Sequence, residues 1–242
     1  MQDYQENIVS SGQSESDLEK PKILSSFFFS GVFVLLLWII QFLQWSLAKE
    51  FATFGVLPRT LTGLKGILTA PLIHADFSHL ISNSFSLFLL LFGILYFYRS
   101  SAIKVFIIIY LVDGIMVWLF ARMSYHIGAS GLVYGFAAFL FFSGLFRKDR
   151  SSMALSLLVV FLYGGMVWGV LPVKPEISFE SHLFGALTGI VCAFIFRKND
   201  PPEKYEWEEE DYEEDDDYDD GKEPEDVEID EDAEEDDFRR LS

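Results

Sequence analysis

Three short stretches carry side chains whose chemistry and spacing belong together: HLISN at 79–83, GASG at 128–131 and SHLFGALTG at 181–189. His79 and Asn83 stand at i and i+4, so on a helix both project from one face. Ser130 lies between Gly128 and Gly131, and Gly131 with Gly135 makes a face of small residues one turn apart. Gly185 and Gly189, three and seven residues beyond His182, make another. Such faces let two membrane helices approach closely, close enough to bring Ser130 and His182 within hydrogen-bond reach. A serine hydroxyl is a weak nucleophile until a base takes its proton, and neutral imidazole, with an unperturbed pKa of roughly 6.5, suits that task near neutral pH. The N–H groups of His79 and Asn83 can donate to an oxyanion, and the N-terminal part of the helix that carries Ser130 adds unpaired backbone N–H groups and a positive dipole end near it. No carboxylate stands where a third member would: Glu180, two residues from His182, falls on another face, and Asp113 lies in a different apolar segment. A Ser130–His182 dyad is therefore expected, with Tyr134, at i+4 from Ser130, as the aromatic surface against the imidazole.

What must position these groups is a set of apolar segments. Crossing a bilayer takes about 17–25 residues at a rise of ~1.5 Å each. Uncharged runs of this kind cover 23–48, 77–98, 123–146, 151–173 and a shorter 181–196, and 105–121 is apolar apart from Asp113. The expectation is an all-α integral membrane protein with six transmembrane helices. The first run is too long for a signal-peptide core and no small-residue cleavage site follows it, so it reads as a retained helix. With a cytoplasmic N-terminus, nine Lys and Arg flank the helices on the inner side and five on the outer, which places both termini inside. The second, fourth and sixth helices then enter from the outer side. His79, Asn83, Ser130 and His182 converge at one depth just below that surface, with His74 and His126 in the adjoining loops. The connection at 49–76 is long and semi-apolar, and short helical pieces at the outer interface are expected there.

The chain of 242 residues carries 36 Asp and Glu against 18 Lys and Arg, yet 51% of it is hydrophobic and 25 residues are Phe. The two halves of this contradiction separate along the chain. Residues 200–242 hold 25 acidic and 4 basic side chains, leaving 11 acidic and 14 basic for residues 1–199. The organisation read from this is a polar, disordered lead-in at 1–22, a membrane domain at 23–198 and a disordered acidic C-terminal tail at 199–242 on the cytoplasmic side. Anionic lipids should hold the tail away from the bilayer. A solvated tail is the plain reading, with an unidentified basic protein or loosely held divalent cations as alternative partners; its spacing fits no EF-hand loop. An ordinary soluble acidic enzyme is excluded, and nucleic acid is no expected partner because neither part has a basic stripe.

Other chemistries fit less well. The single Cys192 gives no disulfide framework or cysteine metal cluster, and no His-Glu pair has zinc-protease spacing, so no metal or other cofactor is expected. An aspartyl mechanism needs two membrane aspartates, and Asp113 is instead expected to pair with a polar neighbour on an adjacent helix. Ser143-Gly144 lies at the inner end of the fourth helix, away from every histidine, and reads as packing. His74 reads as a loop-fixing hydrogen bonder and His126 as an exposed loop residue. The absence of an internal repeat argues against an inverted-repeat transporter.

The three motifs, in this order and on these helices, resemble the rhomboid family of intramembrane serine proteases over roughly 23–198. That family carries His-x-x-x-Asn on its second helix, Gly-x-Ser-Gly on its fourth and His followed by Gly-x-x-x-Gly on its sixth. The resemblance implies Ser130 as nucleophile, His182 as base, and His79 and Asn83 with the Ser130 N–H as the oxyanion hole. It also implies a tyrosine, Tyr134, stacked on the base and a structural role for His74. Gly128, Gly131, Gly185 and Gly189 would be the supporting glycines. It further implies cleavage in or beside the transmembrane segment of membrane-protein substrates near the outer face, after lateral approach through the lipid bilayer, with a small residue favoured at the cut. The location implied is the bacterial cell (inner) membrane, multi-pass. The family's frequent Trp-Arg pair in the first loop is absent, with Lys65-Gly66 in its place. The alternative is an inactive rhomboid-like protein that binds membrane clients; such relatives generally lack the serine or the histidine, and both are present here.

Overall fold

A computed structural model describes residues 15–173 and 178–200, with side chains from Glu19 onward. Among these residues the architecture is helical: α1 (Glu15–Ser46), α2 (Phe77–Phe97), α3 (Ala102–Phe120), α4 (Ser130–Arg147), α5 (Arg150–Tyr163) and α6 (Phe179–Phe196). A 3-10 stretch, Gly164–Val170, continues α5 at its far end, and together they form one span. Each of the six is long and apolar enough to cross a membrane. Leu157 and Phe161 on α5 and Phe85 on α2 are among many large apolar side chains turned outward, which is the surface a helix bundle offers to lipid rather than to water. The chain is a multi-pass membrane protein.

The fourth helix is the axis of the bundle and the most buried of the six spans. It packs on α6, the most extensive helix pairing, and also on α5, α2 and α3. The glycine faces explain why α4 and α6 come so close. A Cβ on Gly185 would strike the carbonyl oxygen of Gly131, and one on Gly189 would strike that of Gly135. Fully buried Leu80, Leu87, Ile109, Phe136 and Phe139 fill the interior around this seam. Ser143 and Gly144 pack at its end remote from Ser130, where a Cβ on Gly144 would lie 2.5 Å from both the Ser152 carbonyl oxygen and the Ser156 Cβ.

Several boundaries differ from those read off the charge pattern. α1 begins at Glu15, inside the polar lead-in expected over 1–22. Its extra polar turn is held by Glu19, which accepts from Lys22 Nζ at 2.7 Å and from the Tyr96 hydroxyl at 2.5 Å. The rest of that lead-in, residues 1–14, lies outside the described residues, and so does the tail beyond Asp200. The fourth helix starts at Ser130 rather than near 123, because residues just before it are tied sideways to the first loop. Val56 and His126 exchange backbone hydrogen bonds at 3.0 and 2.9 Å, and Gly128 N–H donates to the Ala70 carbonyl at 2.9 Å.

The first loop contains the short helical pieces expected of it, Ala52–Phe54, Gly66–Thr69 and Ala70–Leu72. Arg59 anchors it with positive φ, donating from Nη1 to the carbonyls of Leu119 and Ala121, while Trp118 Nε1 donates to the Thr60 carbonyl at 2.9 Å. An arginine of the loop and a tryptophan of α3 thus fasten this connection where the family's adjacent Trp-Arg pair is missing.

Candidate active site

Ser130 is the first residue of α4, preceded by Ala129, which offers no side-chain cap. By helix geometry the first N–H groups of α4 have no acceptor within the helix, so they face outward with the positive end of the dipole. The first turn of α6 stands opposite. There, His182 places Nε2 2.9 Å from Ser130 Oγ. Its other nitrogen, Nδ1, lies 2.8 Å from the carbonyl oxygen of Gly169, which can only accept. Nδ1 therefore carries the hydrogen, and the Nε2 lone pair is left facing the serine hydroxyl.

The imidazole is also held from the side. The Tyr134 ring stacks on it with centroids 4.1 Å apart and planes 9° from parallel. The Tyr134 hydroxyl donates to the Met166 carbonyl at 2.8 Å. Met166 and Gly169 both belong to the 3-10 stretch after α5. One tight turn thus orients the histidine directly and the tyrosine that stacks on it. A Cβ on Gly169 would collide with the Tyr134 hydroxyl, so the close approach requires glycine.

His79 and Asn83 line the same cavity as Ser130 and His182, a cleft of about 870 Å³. Asn83 is buried, and its Nδ2 donates to the His79 carbonyl at 3.2 Å. The His79 ring lies against Gly128, whose φ of +109° belongs to a region that side chains rarely adopt; a Cβ there would sit 2.8 Å from His79 Cε1. His79 N–H donates to Asp76 Oδ1, which caps α2 and fixes the depth of the whole HLISN face.

His74 packs edge-on against His79 with ring centroids 5.0 Å apart. Its Nε2 accepts the N–H of Ala129 at 3.3 Å, so it holds the residue just before Ser130. Burial, reinforced by the neighbouring His79, pushes its pKa down to about 3, which keeps the ring neutral and able to accept.

His126 is not the exposed loop residue expected from its flanking sequence. It is buried, donates from Nε2 to the Arg122 carbonyl at 3.0 Å and accepts the Ser178 hydroxyl on Nδ1 at 2.6 Å. Its pKa is lowered by burial against the opposing effects of the Arg122 carbonyl and Glu180. It joins the loop before α4 to Ser178, the residue that precedes α6. Glu180 does point away from the dyad, toward Arg122, whose N–H lies 3.3 Å from its Oε1. Asp113 has its partner on an adjacent helix, accepting from Ser181 Oγ at 2.9 Å.

The structure therefore brings together Ser130, His182, Tyr134, His79 and Asn83, with His74 behind the turn that presents the serine. Gly169 and Met166 are not marked by residue type or spacing, because they act through carbonyl oxygens. The one signal that could have exposed them is the glycine-rich run GGMVWGV at 164–170, an unusual composition for the end of a membrane helix. Chemically, the arrangement offers a hydroxyl next to an oriented basic nitrogen, within a polar cleft bordered by N–H donors.

Comparison with known proteins bears on the fold and the motifs together. An uncharacterized protein of Mycobacterium tuberculosis is 33% identical over 172 residues, covering 67% of this chain and 72% of its own length. One of Mycobacterium leprae is 33% identical over the same share of this chain and 68% of its own. A Bacillus subtilis protein provisionally named rhomboid protease YdcA is 29% identical over 136 residues, 53% of this chain and 65% of its own. The rhomboid domain matches residues 61–199, a stretch that contains all three motifs and five of the six spans. The chain belongs to the rhomboid family.

Proposed function

We propose that this protein is an intramembrane serine endopeptidase that hydrolyses a peptide bond in or next to the transmembrane segment of membrane-protein substrates. The observation that carries this reading is the 2.9 Å contact between Ser130 Oγ and His182 Nε2, with the far nitrogen committed to Gly169. In the reaction, Ser130 Oγ attacks the scissile carbonyl as its proton passes to His182 Nε2. Charge collects on the carbonyl oxygen, and the side-chain N–H groups of His79 and Asn83 with the Ser130 N–H stabilise it; one such donor is commonly worth on the order of 10²–10³ in rate. His182 then gives its proton to the departing amine. Water drawn from the outer opening resolves the acyl-enzyme with His182 again as base. The imidazolium formed midway lies against the Tyr134 face, an arrangement that favours a cation.

The site's place at one end of the bundle and the Lys/Arg distribution support a cell-membrane protein with both termini in the cytoplasm and the dyad near the outer face. Membrane-protein segments would enter between helices, with a small residue at the cut.

The test is labelling with a serine-reactive fluorophosphonate, together with cleavage of a transmembrane test substrate in liposomes. Wild type is expected to label and cleave, and Ser130→Ala and His182→Ala to do neither. Binding of the test substrate with neither labelling nor cleavage by wild type would replace the protease by a client-binding relative. Protease digestion of inverted vesicles checks the topology: the tail should be cut there and survive in intact ones.

A further inference from the structure

The dyad mechanism leaves unused a buried carboxyl group within the bundle. Asp113 on α3 is 6% exposed, and a carboxyl at that depth is costly unless it does something an apolar side chain could not. Its bonding is sparse. Oδ2 accepts from Ser181 Oγ at 2.9 Å, and Oδ1 has no hydrogen bond among the described residues. A network built for stability would use both oxygens. What Asp113 supplies instead is one acceptor at a fixed place.

That place is informative. Ser181 immediately precedes His182, and Gly131 immediately follows Ser130. A Cβ on Gly131 would strike both Asp113 Oδ2 and Ser181 Oγ, so the carboxyl and hydroxyl together occupy the space that glycine leaves on α4. One carboxyl from a third helix thus touches the chain neighbours of both dyad members. Other ties hold the start of α6, since Ser178 bonds to His126 and Glu180 to Arg122. Both reach only the loop between α3 and α4, whereas the Asp113–Ser181 pair lies directly against α4. A proton relay is a poor account of Asp113, because the ring nitrogens of His182 face Gly169 and Ser130.

We propose that Asp113 is a positioning residue of the active site, which through Ser181 and Gly131 sets the first turn of α6 against the first turn of α4. Resting on the serine-protease reading, this assigns the Ser130–His182 distance to a contact outside the dyad. Misplacement of reacting groups by about 1 Å can cost on the order of 10² in rate, so loosening this contact should act on turnover and not on substrate binding.

The test compares the full-length protein in liposomes with Asp113→Asn, Asp113→Leu, Ser181→Ala and the Asp113→Leu/Ser181→Ala double variant. Fluorophosphonate labelling rate, kcat, KM and thermal unfolding are read for each. The amide oxygen of Asn can still accept from Ser181, so Asp113→Asn should keep kcat within about threefold of wild type. Asp113→Leu and Ser181→Ala should each lower kcat and labelling rate about 10- to 100-fold with KM unchanged, and the double variant should lose no more than the worse single one. Should Asp113→Leu not fold, Ser181→Ala, which deletes only a hydroxyl, still decides. Wild-type kcat in Ser181→Ala overturns the proposal, as does a loss that merely follows a lower folded fraction, or an Asp113→Asn as slow as Asp113→Leu. If wild type itself neither labels nor cleaves, the protease reading falls and takes this inference with it. If wild type works and the variants match it, only this inference falls.

Discussion

The carbonyl oxygen of Gly169 accepts the Nδ1–H of His182 at 2.8 Å, in the position where many serine hydrolases use a carboxylate. In the proposed reaction, a neutral acceptor fixes tautomer and orientation but brings no charge to offset the imidazolium. In a membrane that exchange makes sense, since a second buried charge beside the base would be expensive to desolvate. Under the same proposal, the stacked Tyr134 ring would supply electrostatic help to the cation.

The first prediction follows from how little room surrounds this carbonyl. Gly169→Ala would place a methyl against the Tyr134 hydroxyl and 3.3 Å from His182 Nδ1, so the 3-10 turn must shift and carry its carbonyl with it. Labelling of Ser130 by a fluorophosphonate should slow by about 10- to 100-fold. Gly165→Ala, four residues earlier with nothing within 4 Å of the new methyl, should label at the wild-type rate. Equal rates in both variants would remove Gly169 from the machinery.

A second prediction concerns the seam between α4 and α6. Gly185→Ala drives a methyl into the Gly131 carbonyl, which is backbone and cannot turn aside as a side chain could. Over-packing of this kind costs typically about 1–3 kcal/mol. The seam also carries Ser130 on one side and His182 on the other, so activity should fall further than stability does. Gly31→Ala on α1, whose methyl would make an ordinary 3.9 Å contact with Phe88, is the control expected to leave both unchanged. Thermal unfolding and cleavage rates of the two variants decide it.

The parts of this site that sequence reveals are those that act through side chains at helical spacing. His79 with Asn83, Ser130 with Tyr134, and His182 with Gly185 and Gly189 each declare a face by position alone. Gly169 does not, because a carbonyl is common to every residue and only the three-dimensional path selects this one. The start of α4 is hidden from the sequence for a related reason. Residues 123–129 are uncharged and look continuous with the helix, but their pairing with Val56 and Ala70, far earlier in the chain, holds them in a non-helical path. The same pairing buries His126. The polar partner expected for Asp113 exists, but spacing could not say that it would be Ser181, the chain neighbour of His182.

A third prediction marks where the membrane domain ends. Asp200 Oδ1 accepts the Ser100 N–H at 2.7 Å and Oδ2 the Ser101 hydroxyl at 2.6 Å, just ahead of α3, while Arg147 at the end of α4 donates to its carbonyl. The chain leaving α6 is thereby clasped to two other helices. Deleting 203–242 should leave cleavage and unfolding temperature as in the full chain. Deleting 199–242 removes the clasp and should cost roughly 2 kcal/mol or more, since hydrogen bonds to a charged group are worth about 1.5–3 kcal/mol each. Equal stability of the two truncations would show that the acidic residue at 200 belongs with the tail and not with the fold.

The last prediction uses His74. Its pKa in the folded protein, about 3, lies far below the ordinary histidine value near 6.5, because the ring is buried and beside His79. Between those two values the unfolded chain binds a proton that the native protein refuses, so stability rises with pH across that interval. The contribution is fully present above about pH 6.5 and is lost progressively as pH falls toward 3. His126, also lowered by burial, acts in the same direction. Acidification from pH 7.5 to 5 should therefore lower the unfolding temperature of wild type. His74→Gln keeps an oxygen that can accept the Ala129 N–H but cannot titrate. It should be less stable at pH 7.5, where the native ring fits best, yet lose less on acidification. Parallel pH dependences in the two proteins would mean that the neutral ring behind Ser130 is not what acid attacks first.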